Sequence, residues 1–149
     1  MKSSSGNPEE AKKAILEFLK KHSLAVLSTV DAEGRKPESA VLSFVEMDDL
    51  SIVFGTANTS RKYSNLQKNL NVALVIGWDG RVGTLQYEGV ARELSKEESV
   101  PYAAAQIAKN PFSKAFADRD DQRYFLVAPV WMRLTDMSQK PAQTIELSF

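Results

Sequence analysis

The sequence contains no cysteine and only one histidine, His22, among its 149 residues. Without cysteine there are no disulfides, thiol nucleophiles, zinc–thiolate sites or iron–sulfur clusters. One histidine cannot form a histidine metal cluster within the chain, and a Ser-His-Asp triad would depend wholly on it. His22 falls where the first predicted helix should stop, so we interpret it as a helix-end residue rather than a catalyst.

The sequence also lacks an excess of charge of either sign, with 19 basic and 19 acidic side chains. This balance argues against a broadly basic surface for nucleic acid, although a local patch could still hold one phosphate. No apolar run approaches the ~20 residues that a membrane span needs, and the start lacks the apolar stretch of a signal peptide. We therefore expect a cytoplasmic protein with no nucleic-acid or membrane partner.

The remaining composition is typical of a globular domain, with 43% hydrophobic and 26% charged residues. The length favours a single domain over residues 1–149. We expect about seven residues at the start and about twelve at the end to be loosely held, as chain ends commonly are.

Alternating and helical apolar patterns predict a mainly β protein with flanking helices. Helices are predicted at Pro8–Lys21, Lys62–Asn69, Ser95–Ala108 and Phe112–Ala117. Strands are predicted at Leu24–Val30, Glu38–Val45, Leu50–Gly55, Val72–Trp78, Val82–Leu94 and Tyr124–Leu134. Asp79-Gly80 predicts a hairpin turn, and Gly83 and Gly89 indicate a bulge, a bend or a close approach to the backbone in a long strand. Six antiparallel strands with a bent member favour a closed or partly closed barrel.

The segment from Thr56 to Lys62 is the best local candidate for a binding site. It joins a predicted strand end to a predicted helix start, where unpaired backbone N–H groups are available. Arg61 and Lys62 add two cations, a combination that suits a phosphate dianion. The alternative is that both side chains are simply solvated.

A second candidate is the polar face of the long strand, where Thr84 and Gln86 could contact the edge of a heteroaromatic ring. The alternative is that they face outward from a barrel without a ligand. Trp131 could stack on a planar ligand or belong to the core. No pair of carboxylates has the spacing expected for acid–base work, so a cofactor-free hydrolase has little support.

The order of several short segments resembles the pyridoxamine 5′-phosphate oxidase-like FMN-binding split barrels. The resemblance runs from about Ala11 to Asp136. The segments that carry it are Leu24–Val30, Pro37–Val41, Ser60–Lys62, Asn69–Leu74, Glu88–Ala91 and Arg133–Asp136.

The resemblance implies a six-stranded antiparallel split barrel that forms a homodimer, with FMN in two clefts between the subunits. It implies that Ser60, Arg61 and Lys62 form the phosphate segment, with the two cations holding the phosphate. By the same resemblance, Gly55 and Thr56 would follow the ribityl chain, and the backbone of Ser39, Ala40 and Val41 would pass the isoalloxazine. Thr84 or Gln86 would approach the ring or the ribityl chain, and Trp131 would contact the flavin from the partner subunit.

The second predicted strand departs from that of the true oxidases, since Ser39–Phe44 contains no arginine or lysine. The compact form therefore looks more like the small general-stress-protein branch than a vitamin B6 phosphate oxidase. The resemblance implies an FMN-dependent oxidoreductase with a small-molecule electron donor or acceptor. The alternatives are a non-catalytic flavin-binding module and a deazaflavin-dependent reductase. Haem, which other branches bind, is disfavoured because His22 is the only histidine and belongs to the first helix.

Overall fold

A computed structural model describes residues 1–3, 6–78 and 83–149. Within these ranges nine strands form one antiparallel sheet, flanked by helices. The strands are β1 (Lys2–Ser3), β2 (Leu24–Val30), β3 (Pro37–Ser43), β4 (Val45–Glu46), β5 (Ile52–Ala57), β6 (Asn71–Ile76), β7 (Thr84–Glu93), β8 (Gln122–Asp136) and β9 (Gln143–Ser148). The helices are α1 (Pro8–Lys20), α2 (Arg61–Leu66), α3 (Lys96–Lys109) and α4 (Lys114–Ala117), with a 3₁₀ turn at Pro111–Ser113.

The long strand β8 organises the sheet because it pairs with different strands along its two halves. Residues 122–127 pair with β5, residues 131–136 pair with β9, and β7 runs along the other edge. From β7 the sheet continues through β6 and β2 to β3, which approaches β5 but forms no ladder with it in the described ranges. Strands β5, β8, β7, β6, β2 and β3 thus form the predicted six-stranded barrel, split along a seam between β3 and β5.

Helix α1 closes one side of the barrel core. Asn7 caps it by accepting a hydrogen bond from the Glu9 backbone N–H at 3.0 Å. Its buried residues recur at three- and four-residue spacing and pack into the main core, which also contains Phe44, Phe54, Tyr87 and Phe125. The Tyr87 hydroxyl lies 3.0 Å from the carbonyl oxygens of both Leu50 and Val127. These contacts give the buried hydroxyl its hydrogen-bond partner.

The predicted irregularity at Gly89 is confirmed. The register between β7 and β8 shifts between Glu88 and Gly89. A Cβ on Gly89 would lie 2.6 Å from both the carbonyl oxygen of Ala128 and a methyl group of Val127. The neighbouring strand therefore approaches too closely for any side chain at this position.

The strand count and the chain ends differ from the prediction. Three short strands, β1, β4 and β9, add to the six that the sequence predicts. We expected the last residues to be loosely held, but Gln143–Ser148 pairs with the second half of β8 and buries Leu147. Near the start, Lys2 and Ser3 pair in turn with β9. Pairing along the free edge of β8 satisfies backbone groups that would otherwise face water.

Other boundaries shift by a few residues. Helix α2 ends at Leu66 rather than Asn69, because the chain turns there to enter β6. The predicted hairpin at Asp79-Gly80 lies outside the described residues. None of the helices in the described ranges is long and apolar enough to cross a lipid bilayer.

Candidate functional site

The turn between β5 and α2 is held by hydrogen bonds of two side chains, those of Thr56 and Ser60. The Ser60 hydroxyl accepts a hydrogen bond from the backbone N–H of Tyr63 at 3.2 Å and thereby caps α2. It also lies 2.8 Å from the hydroxyl of Thr56, near the end of β5. These contacts fix the start of α2, where Arg61 and Lys62 follow directly.

Lys62 is a half-buried cation that has no side-chain partner in the described part of the chain. Its side chain forms no hydrogen bond or ion pair with any residue that the structure describes. Burial lowers the pKa of Lys62 below its ordinary value, since removal from water disfavours the charged form. An ammonium group in this position would be stabilised by an anion placed beside it.

A first cavity of about 450 Å³ lies between the barrel and the start of α2. Its lining residues are Leu27, Thr29, Pro37, Glu38, Ser39, Ala40, Arg61 and Lys62. Arg61 forms an ion pair with the carboxylate of Glu38 across this cavity. The three charged side chains together leave one net positive charge at the mouth of the cavity.

Glu38 is anchored by a hydrogen-bonded chain that runs into the core. The amide nitrogen of Asn65 donates to Glu38 Oε2 at 2.7 Å and to Thr29 Oγ1 at 3.0 Å. These contacts from Asn65, and secondly those from Arg61, hold the pKa of the Glu38 carboxyl below its ordinary value. The carboxylate is therefore ionised at neutral pH.

A second cavity of about 330 Å³ lies at the seam between β3 and β5, beneath α3 and α4. Val41, Gly55, Thr56, Ser60 and Lys62 line it from the barrel side. From the helical side it is lined by the exposed rings of Phe112 and Phe116 and by the buried Gln106. The Gln106 amide nitrogen donates to Ser43 Oγ at 2.9 Å, whereas its Oε1 has no partner in the described structure.

The two cavities form one elongated cleft along β3. Lys62 lines both of them, and the residues of β3 line the first cavity from Pro37 to Ala40 and the second from Val41 to Ser43. At ~3.3 Å per residue, the stretch from Glu38 to Ser43 is roughly 17 Å long. Such a cleft suits an elongated ligand with an anionic group near Lys62.

The structure brings most of the predicted site residues to this cleft. Thr84, Gln86 and Trp131 are the exceptions, since they line neither cavity. Trp131 lies in β8 opposite Glu88, and its ring is 5.3 Å from the guanidinium carbon of Arg133. Their predicted flavin contacts therefore stay predictions, since these residues do not line the cleft of this chain.

Gln86 nevertheless lies in the same row of opposed residues across the sheet as Val41, a residue of the cleft. In the strand registers Gln86 is opposite Val75, Val75 opposite Val26, and Val26 opposite Val41, which lines the second cavity. Directly opposed residues share one face of a sheet. This face, called the outer face below, also carries exposed apolar side chains at Leu24, Val41, Val75, Val90 and Val130.

Sequence reasoning missed the contributions of Glu38, Asn65, Gln106, Phe112 and Phe116. Glu38 is the only charged residue of β3, which was an available signal. Asn65 is one of the few buried polar residues, but its partners lie 27 and 36 positions away in the sequence. Only the fold shows that α2 packs beside β2 and β3.

His22 lies outside this cleft. It is at the end of α1, where its Nδ1 lies 2.8 Å from the carbonyl oxygen of Phe18 and its ring stacks on the Phe18 ring. This arrangement agrees with its interpretation as a helix-end residue.

Comparison with known proteins identifies the family. A family model described as pyridoxamine 5′-phosphate oxidase matches residues 11–136. The chain belongs to the pyridoxamine 5′-phosphate oxidase family. The match covers the whole barrel and all residues of the cleft.

Relatives within this family include enzymes and stress proteins. A pyridoxine/pyridoxamine 5′-phosphate oxidase of Legionella pneumophila (strain Lens) is 28% identical over 119 residues, 78% of this chain. That alignment covers 55% of the oxidase, so the chain spans about half the length of such relatives. General stress protein 26 of Bacillus subtilis (strain 168) is 25% identical over 143 residues, which are 95% of this chain and 99% of the relative.

Solved structures confirm the family's split-barrel fold. General stress protein 26 from Bacillus anthracis str. Sterne superposes with a TM-score of 0.72 at 19% identity, covering 93% of this chain and 98% of the other. An FMN-binding, pyridoxamine 5′-phosphate oxidase-related protein from Nostoc punctiforme gives 0.67 at 16% identity, covering 94% and 90%. A heme-binding protein from Mycobacterium smegmatis gives 0.76 at 15% identity, covering 93% and 58%.

Proposed function

We propose that this protein binds FMN in the cleft along β3 and acts as an FMN-dependent oxidoreductase. The observation that carries the proposal is Lys62, a half-buried ammonium without a partner among the described residues, at the junction of the two cavities. The name of the Nostoc punctiforme structure, an FMN-binding protein with the same fold, supports the choice of ligand.

The residues of the cleft suit the two ends of a flavin mononucleotide. A phosphate beside Lys62 would receive charge-assisted hydrogen bonds from Lys62 and from the free N–H groups of Arg61. The second cavity offers an apolar wall at Val41, Phe112 and Phe116 for a planar ring. The unpaired edge of β3 offers backbone N–H and C=O groups for the polar edge of that ring.

We propose that the protein acts as a homodimer through the outer face of the sheet. Exposed apolar residues on five neighbouring strands occupy this face, and such a patch commonly marks an interaction surface. A second copy bound here by a two-fold axis would cover the edge of the cleft at Val41. It would also bring its own outer face, which carries Gln86, towards the ligand, whereas the family resemblance implies a partner contact from Trp131.

Haem fits the cleft less well than FMN. Histidine is a common protein ligand of haem iron, and His22 is at the end of α1, outside both cavities. The similarity to the Mycobacterium smegmatis protein, at 15% identity, concerns the fold alone.

Bound flavin would supply the hydride and electron transfer, while the protein holds and orients it. The second cavity would then admit a small-molecule electron donor or acceptor beside the ring. Its inner wall at Gln106 and Ser43 is neutral, and Arg119 at its rim is paired with Asp121. The neutral wall and the paired arginine do not favour binding of a phosphate group on the substrate in addition to the phosphate of FMN. We therefore propose a substrate other than a vitamin B6 phosphate.

The proposal is tested in two steps. Titration of the protein with FMN, followed by flavin fluorescence, should give saturable binding, with weaker binding of riboflavin and of a deazaflavin. Anaerobic mixing of the FMN complex with NADH and then NADPH should bleach the flavin absorbance faster than in free FMN. Binding without bleaching by either donor would favour the flavin-binding module instead, and tighter binding of the deazaflavin would overturn the choice of cofactor.

A further inference from the structure

We propose that Glu38 is a positioning residue, which holds the Arg61 guanidinium at the mouth of the cleft to receive the phosphate of the flavin nucleotide. This inference rests on the proposed function of the cleft. It assigns a role to an acidic residue at a site that is otherwise built to attract an anion.

The contacts of Glu38 form a continuous path from the core to the surface. Thr29 and Asn65 are only 2% and 6% exposed, and they are hydrogen-bonded to each other. Asn65 donates to one carboxylate oxygen of Glu38, and Arg61 pairs with the other oxygen. Each carboxylate oxygen thus has one defined partner, and the path begins at two buried side chains.

The two ends of the Arg61–Glu38 pair differ sharply in exposure. The Arg61 side chain is 81% exposed, whereas that of Glu38 is 20% exposed. An exposed arginine without an anchor samples many rotamers, and ordering them opposes binding. With Glu38 fixed by Asn65, the guanidinium is restrained before a ligand arrives, and it keeps further N–H donors for phosphate oxygens.

The opposite interpretation is that the Glu38 carboxylate competes with the phosphate for Arg61. Competition requires Arg61 to leave Glu38 when the ligand binds. A planar guanidinium has five N–H donors and can contact a carboxylate and a phosphate at once. Positioning therefore needs no rearrangement of the buried path. The two interpretations predict opposite effects when the carboxylate is removed.

A double-mutant cycle on Glu38 and Arg61 distinguishes the positioning interpretation from the competition interpretation. FMN and riboflavin affinities are measured by fluorescence titration for the wild type, Glu38→Ala, Arg61→Ala and the double variant. We expect Glu38→Ala to weaken FMN roughly fivefold, a coupling of about 1 kcal/mol. Riboflavin, which has no phosphate, should change by less than about twofold. In the background of Arg61→Ala, removal of Glu38 should have no further effect on FMN.

Two further variants control for folding and charge. Glu38→Gln retains a side-chain oxygen that can accept from Arg61, so it should recover part of the lost FMN affinity even if Glu38→Ala folds poorly. Glu33→Ala removes another arginine-paired glutamate, one that lines neither cavity, and should leave FMN affinity unchanged.

Tighter FMN binding by Glu38→Ala, or equal and additive losses in the cycle, would overturn the positioning role. If Arg61→Ala weakens FMN but Glu38→Ala and Glu38→Gln do not, the role of Glu38 fails and the proposed function stands. If the wild type does not bind FMN, both proposals fail.

Discussion

The hydroxyl groups of Thr56 and Ser60 lie 2.8 Å apart and join the end of β5 to the start of α2. The Thr56 side chain is buried, so this contact ties the turn to the barrel wall. Ser60 simultaneously caps α2 through the backbone N–H of Tyr63. The positions of Arg61 and Lys62 therefore depend on one serine hydroxyl.

Replacement of this serine should affect both stability and binding. We expect Ser60→Ala to lower the free energy of unfolding by about 1 kcal/mol through loss of the cap. FMN affinity should fall several-fold because the first turn of α2 is less well fixed. Urea denaturation and fluorescence titration measure the two effects. Ser64→Ala, at an exposed position of the same helix, is the control and should change neither.

Removal of the Lys62 charge should separate binding from stability. We expect Lys62→Gln to weaken FMN about ten- to a hundredfold, since a charge-assisted hydrogen bond contributes ~1.5–3 kcal/mol. The same change should raise the free energy of unfolding without ligand, because it removes a half-buried, unpaired charge. Titration and denaturation test both effects, with the exposed Lys68→Gln as control. Unchanged FMN affinity would contradict the phosphate assignment.

Glu38 should contribute to the loss of stability in acid. Its pKa is lowered in the folded protein, from an ordinary value of 4.5. The unfolded chain then takes up this proton at a higher pH than the folded protein does. The contribution of Glu38 is therefore complete above the ordinary pKa and is lost as the pH falls through the folded value.

The Glu38→Gln variant has no carboxylate to protonate at this position, so its stability should fall less steeply than that of the wild type as the pH falls below the ordinary glutamate pKa of 4.5. Urea denaturation at a series of pH values measures the slopes. Parallel slopes for the two proteins would contradict the prediction.

The outer face should govern the oligomeric state. A charge at Val75, in the centre of this face, would be buried without a partner in a dimer. We expect Val75→Arg to shift the protein to a monomer in light scattering at micromolar concentration. Val100→Arg on α3 is a matched control, since Val100 is exposed but lies outside the outer face. A Val75→Arg protein that remains a dimer would exclude this face as the interface.

The bulge at Gly89 should not tolerate even a methyl group. A Cβ there would meet backbone of the adjacent strand, which cannot move aside as a side-chain end could. We expect Gly89→Ala to cost about 1–3 kcal/mol of unfolding free energy, whereas Val100→Ala, at an exposed position outside the outer face, stays within about 0.5 kcal/mol. Equal stabilities in urea would show that the strands can separate to accept the methyl group.

Local signals in the sequence predicted much of the fold. Strand β2 has the predicted bounds, and the helix predicted at Ser95–Ala108 is present as α3, which Ser95 caps. The final strand β9 was missed although Ile145 and Leu147 alternate with polar residues. Its stability depends on the free edge of β8, and no local pattern shows that this edge is available.

The residues of the candidate site also divide into those that local sequence predicts and those that only the fold brings together. Arg61 and Lys62 were identified because they are two adjacent cations at the junction between a predicted strand and a predicted helix. Glu38 lies 23 residues from Arg61, and Gln106 lies 63 residues from Ser43. Those pairs come together only because the barrel curves until β3 faces β5, which depends on every strand register in between.

The open seam has a consequence for hydrogen exchange. Strand β7 is paired along both edges, by β6 and β8, whereas β3 has a ladder only with β2 in the described ranges. Amide hydrogens of β3 that point into the seam should therefore exchange with deuterium far sooner than those of β7. A ligand lying along the seam would slow exchange at β3 and at residues 54–57 of β5 together. Deuterium uptake would then map the length and orientation of the bound molecule on the unlabelled protein.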